Sequence, residues 1–149
     1  MFLRHPILSV LTLAYVALVA WLTLTPLSTG LESGLLWRVA DLLAQSPATE
    51  WFTFRRLEFL ANIALFVPFG IFLLLLFGRR RWWLAILLGV VMTVGIEFAQ
   101  QFIPTRVPDT RDLVANSLGA LIGAILGLAL TASKARRIRV SGSARRATL

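Results

Sequence analysis

Apolar residues in this chain gather in long blocks and do not alternate with polar ones. Residues 7–25, ILSVLTLAYVALVAWLTLT, carry no charge, and further blocks run over 59–77, 82–102 and 111–131. Each is close to the roughly 20 residues that an α-helix needs to cross a hydrocarbon core about 30 Å thick. A membrane β-strand would show a period of two instead. In lipid every backbone N–H and C=O must find its partner inside the protein, which continuous apolar helices achieve on their own. The pattern therefore predicts an all-α integral membrane protein, a four-transmembrane-helix bundle. Arg4 and His5 precede the first block, as in a signal peptide. The run exceeds the usual apolar core of about 7–15 residues and no Ala-x-Ala site follows, so a retained first span is expected.

The polar residues between the blocks supply the punctuation. Residues 26–57 form the one long connection, and within it Leu31, Leu35, Leu36, Val39, Leu42 and Leu43 recur at helical spacing around Glu32, Arg38 and Asp41. This predicts an amphipathic extracytoplasmic segment over 31–45, lying on the membrane or packed as an ordinary loop helix, with Trp37 and Trp51 at headgroup level. Pro68 removes a hydrogen bond from the second span and predicts a kink near 64–68, while Gly70 leaves room for a neighbour. Gly78-Arg79-Arg80-Arg81 reads as a tight basic loop before the anchors Trp82 and Trp83. The loop Ile103–Pro108 ends the third span, and Asp109 or Thr110 can cap the fourth helix. Gly119, Gly123 and Gly127 then recur every four residues, a spacing that lets two helix backbones approach closely.

Composition agrees with a lipid solvent. The chain of 149 residues is 58% hydrophobic and 15% charged, against about 45–50% and 25% in soluble domains. A single small core cannot hide that excess, and four spans use nearly the whole chain, so one domain over 1–149 is expected. Cysteine is absent, which excludes disulfides, a thiolate nucleophile and cysteine metal sites. A net charge of +8 would suit nucleic acid, but the cations sit in short loops and a tail, so no nucleic-acid partner is expected. Ten of them (Arg4, Arg79, Arg80, Arg81, Lys134, Arg136, Arg137, Arg139, Arg145, Arg146) fall on the side of the termini; five (Arg38, Arg55, Arg56, Arg106, Arg111) fall opposite. This bias predicts both termini in the cytoplasm, with the basic tail 132–149 acting as stop-transfer charge or lying against anionic lipid.

The candidate chemistry lies in residues 97–116, EFAQQFIPTRVPDTRDLVAN. Polar groups kept at the ends of apolar spans are costly and mark a functional site by default. On a helix Asp109, Asp112 and Asn116 share a face that Gly119, Gly123 and Gly127 continue, and Thr93, Glu97, Gln100 and Gln101 share one on the preceding helix. Neither face sits comfortably in lipid, so the two should meet, with Asn62 as a third contributor. Glu97, held partly from water, is a candidate general acid or base. Arg106 offers a planar donor fork suited to carboxylate or phosphate. Asp109 and Asp112 could face a hard cation, but scattered acids are a weak metal pattern, and neither a metal nor a cofactor is expected. Three readings stay open: a structural hydrogen-bond network, a ligand site formed by Asn62, Glu97, Gln100, Arg106, Asp109, Asp112 and Asn116, or an intramembrane enzyme centred on Glu97.

Three polar blocks, Asn62 with Phe66, Pro68, Phe69 and Gly70, then Glu97 with Gln100, then Arg106, Asp109, Asp112, Asn116, Gly119 and Gly123, resemble the VanZ-like family over residues 58–128. That family is named for a protein that raises resistance to the glycopeptide teicoplanin. The resemblance implies a small multi-pass inner-membrane protein of the bacterial cell envelope, and it carries the family's motif onto Asn62, Pro68, Gly70, Glu97, Gln100, Arg106, Asp109, Asp112, Asn116 and Gly119. An anionic lipid-linked or cell-wall ligand, or a membrane-protein partner on the glycine face, is the expectation that follows.

Overall fold

The computed structural model describes residues 6–25, 31–104 and 109–146. These form helices and turns without a strand: α1 (Pro6–Leu24), α2 (Leu31–Ala44), α3 (Phe54–Phe77), a short 3-10 turn (Arg79–Arg81), α4 (Trp82–Gln100) and α5 (Thr110–Arg146). Among the described residues, four stretches are long and apolar enough to cross a membrane: Pro6–Leu24, Phe54–Phe77, Arg79–Gln100 and Thr110–Ala132. The all-α membrane bundle read from the apolar blocks is the architecture of the protein.

Two helices run beyond their apolar blocks. The first five residues of α3 take in Arg55, Arg56 and Glu58, entered from Thr53 in an extended conformation. At its far end α5 continues through the basic residues to Arg146. Alanine, lysine and arginine are good helix formers, so hydropathy marks where the hydrocarbon ends and not where the helix does. Between α3 and α4 the chain turns on Gly78, whose φ of 80° lies in the left-handed region open to glycine. Its N–H bonds the Leu74 carbonyl at 2.7 Å, closing α3 before the three arginines.

Small residues fix how the helices lie. A Cβ built on Gly119 would run into the Ile63 carbonyl and the Phe66 Cβ, and one on Gly123 into the Val67 carbonyl, all inside 3.0 Å. Both numbers rise together, so α3 and α5 are parallel, and their interface is the most extensive in the bundle. On the flank of the same stripe Ala120 presses between Gly70 of α3 and Gly89 of α4. Thus α5 lies in the groove between α3 and α4. Its spanning part is the most enclosed of the four, 39% buried against 22% for α1.

The core at this junction includes Val19, Phe66, Phe69, Leu74, Ala85, Ile96, Ala120 and Ala124. Outward faces carry Ile7, Val10, Leu13, Trp21, Val91, Phe98 and Ile125, all well exposed. A soluble monomer does not present apolar surface on this scale; a bilayer covers it. Pro68 lies within α3 and leaves the Ala64 carbonyl without its helical donor. One residue on, the Leu65 carbonyl accepts the Tyr15 hydroxyl of α1 at 2.7 Å. A neighbouring helix thus supplies a donor beside the proline step, one residue from the carbonyl that Pro68 frees. The amphipathic segment is helical as α2, and Trp37 on it stacks on Phe54 at 4.3 Å between ring centroids.

Candidate functional site

The ends of α1 and α4 meet the beginnings of α3 and α5 at one end of the bundle. Because α4 runs antiparallel to α5, residues just before the end of one face residues just after the start of the other. Asn116, only 2% exposed, donates its amide N–H to the Thr93 hydroxyl at 2.9 Å. About one turn nearer the helix ends, Glu97 accepts the backbone N–H of Asp109 on Oε2 at 3.0 Å. Beyond that, Gln100 is buried and donates Nε2–H to the Thr23 carbonyl of α1 at 3.0 Å.

Asp109 is the hinge of this arrangement. Its Oδ1 accepts the Arg111 N–H at 2.9 Å, which is an N-cap on α5, and its carbonyl accepts the Asp112 N–H. The carboxylates of Glu97, Asp109 and Asp112 therefore gather at the positive end of the α5 dipole, where negative charge is stabilised. Bonding the capping residue through its own N–H, Glu97 ties the end of α4 to the start of α5.

Two atoms stay unmatched. Glu97 Oε1 and Asn116 Oδ1 are buried with no hydrogen-bond partner among the described residues. A buried acceptor without a donor costs about 1–3 kcal/mol, and native proteins keep few of them. Both are acceptors, so what they lack is the same thing: a donor.

The predicted polar faces do converge, with some redistribution. Glu97, Gln100, Asp109 and Asn116 enter the network directly, while Asp112 is half-buried in the first turn of α5. Asn62 is half-buried on α3 and makes no side-chain hydrogen bond to the cluster among the described residues. It sits just before Ile63, whose carbonyl faces Gly119. Gln101 is exposed, at the residue where α4 stops. Arg106 lies outside the described residues. Among those described, no group of three or more His, Cys, Asp or Glu is placed to hold a metal ion. Thr23 carries no sequence signal for this site, because it contributes only a main-chain carbonyl, one of the last-turn carbonyls that every helix leaves unpaired.

Comparison with curated proteins and with solved structures finds no match. The family model described as VanZ/LLP1 matches residues 12–131. That stretch reaches further towards the N-terminus than the motif blocks and takes in α1 with Tyr15 and Thr23. It covers well over half of the chain together with every residue of the polar cluster, and the protein belongs to the VanZ/LLP1 family.

Proposed function

We propose that the protein is a cell-envelope accessory protein of the bacterial inner membrane that holds the headgroup of an anionic lipid-linked or cell-wall ligand in the polar site between α1, α4 and α5. With both termini in the cytoplasm, this site faces outward, where such ligands are exposed. The observation that carries the reading is the pair of buried acceptors, Glu97 Oε1 and Asn116 Oδ1, with no donor among the described residues. Hydroxyl and amide groups, abundant on sugar-bearing wall precursors, supply donors of the right kind. Arg106, which lies between α4 and α5 in the sequence, carries a donor fork suited to the phosphate that links such a headgroup to its lipid. A protein that holds a wall precursor would also alter susceptibility to glycopeptides such as teicoplanin, the trait behind the VanZ name.

Native mass spectrometry of gently solubilised protein tests this, with wild type beside Glu97→Gln, Asn116→Leu and Arg106→Ala. The expected result is one defined anionic lipid on wild type, weakened in all three variants. Equal lipid retention in all four proteins would sink the proposal, and lower melting without a lipid difference would make the cluster scaffold. A second reading, an intramembrane enzyme acting on the same ligand, is favoured by one detail: Glu97 keeps one carboxylate oxygen free for proton transfer while the other is fixed by Asp109. Any turnover found with the captured lipid should vanish in Glu97→Gln, and activity that survives would exclude Glu97 as acid or base.

A further inference from the structure

On the α3 side of α5, at the same end of the bundle, a cleft of about 200 Å³ is lined by Trp51, Phe52, Arg56, Phe59, Leu60 and Arg111. Its chemistry is the reverse of the polar cluster's. Two guanidinium groups reach it and no carboxylate is among its described lining residues. Aromatic rings position both cations: Arg56 stands over Trp51, 5.7 Å from the ring centroid, and Arg111 over Phe59 at 6.0 Å. Arg56 is also fixed by an Nη1–H bond to the Trp51 carbonyl. A guanidinium carries five donors, so that bond leaves most of the Arg56 fork available.

Like charges brought together without an acid between them favour an anion, and the forked geometry favours phosphate or carboxylate. The walls select further. Phe52, Phe59 and Leu60 are apolar, and Leu60 is 47% exposed on the outer face of α3, so the cleft opens towards the bilayer. Its volume lies below the roughly 300 Å³ at which sites for whole small molecules begin. It can therefore take a headgroup fragment whose chains remain outside. From these observations we infer that the cleft binds the phosphate of an anionic membrane lipid, clamped by Arg56 and Arg111, with the first chain methylenes laid against Phe59 and Leu60. This site offers donors where the Glu97–Asn116 site offers acceptors, and it stands whether or not that site binds a ligand.

The test uses the full chain in detergent, titrated with phosphatidylglycerol or phosphatidylcholine and read by native mass spectrometry. Wild type is compared with Arg56→Gln/Arg111→Gln, Arg56→Lys/Arg111→Lys, and Arg79→Gln/Arg80→Gln at the opposite end. Losing two charge-assisted contacts should weaken phosphatidylglycerol binding at least about tenfold in the glutamine pair. The lysine pair should recover part of it, and Arg79→Gln/Arg80→Gln should match wild type. Should the glutamine pair not fold, the lysine pair carries the test, since it keeps the charge and loses the fork. Unchanged binding in the folded Arg56/Arg111 variants would overturn the inference, as would an equal loss in Arg79→Gln/Arg80→Gln. Displacement of the lipid by millimolar inorganic phosphate would also overturn it, reassigning the cleft to free phosphate.

Discussion

Alanine substitution of three helical glycines gives a graded test of how α5 is held. At Gly123 a new Cβ would lie inside 3.0 Å of the Val67 carbonyl oxygen and at 3.0 Å from both Gly70 Cα and Ile71 N. All three are backbone atoms, so relief requires α3 and α5 to separate. Overpacking of this kind costs about 1–3 kcal/mol, and rigid backbone neighbours place it towards the upper end. Replacing glycine by alanine inside a helix returns about 1 kcal/mol, so Gly123→Ala should lose about 1–2 kcal/mol net. At Gly127 the obstruction is the end of the Leu74 side chain, which can change rotamer, and the two effects should nearly cancel. At Gly95 nothing lies within 4 Å, so alanine should stabilise by up to about 1 kcal/mol. Reversible unfolding in mixed micelles, followed by helicity, measures the series. The ranking Gly95→Ala above Gly127→Ala above Gly123→Ala is the expected outcome. Equal stability of Gly123→Ala and Gly95→Ala would refute close backbone contact as the basis of the α3–α5 interface.

Other contacts make sharper, smaller predictions. Thr93→Val keeps the shape of Thr93 but strands the Asn116 amide, and should cost about 1–2 kcal/mol, more than the roughly 0.6 kcal/mol average for interhelical hydrogen bonds in membranes; the same unfolding assay reads it. Tyr15→Phe removes the donor from the Leu65 carbonyl and should cost about 0.6–1.7 kcal/mol, with faster amide exchange around Pro68 as its local signature. Asp109→Ala removes the α5 cap and should cost about 1 kcal/mol, whereas Asp109→Asn, which can still cap, should stay within a few tenths of wild type.

Much of this was legible because lipid simplifies the code. Apolar block length reports span length directly, and glycines at four-residue spacing report a close helix contact whichever partner is used. The partner itself was not legible: periodicity placed Gly119 and Gly123 on the face of Asn116, yet those glycines meet α3 while Asn116 bonds Thr93 on α4. A stripe lying in a groove touches both walls, and sequence records only the stripe. The convergence of Glu97 and Asn116 followed from the cost of leaving either in hydrocarbon. Asp109 meeting Glu97 through its main-chain N–H did not, because backbone groups carry no sequence signal. The cleft at Arg56 and Arg111 was hidden for another reason. Its residues come from three separate stretches, the turn before α3, the first turns of α3 and the start of α5, and each alone reads as an ordinary interfacial aromatic or arginine.

The packing of α5 and the chemistry at its start are one problem. Gly119 and Gly123 bring the α5 backbone onto α3, and Ala120 is held between Gly70 and Gly89. A helix gripped on both sides at adjacent positions has little freedom to rotate. Asn116 is one turn away, so its rotation about the axis is set by that grip, and so is the direction of the unmatched Oδ1. If α5 could turn freely, a modest rotation would let Asn116 seek a donor elsewhere and relieve its buried acceptor. The glycine contact is thus what holds the unmatched Asn116 Oδ1 in place, a local penalty sustained by packing elsewhere. It follows that Gly123→Ala, far from the polar cluster in sequence, should weaken ligand capture there, while Gly95→Ala, which touches nothing, should leave it unchanged. Native mass spectrometry on the two variants decides between them. Full capture by a folded but destabilised Gly123→Ala protein would show that the site does not depend on how α5 is held.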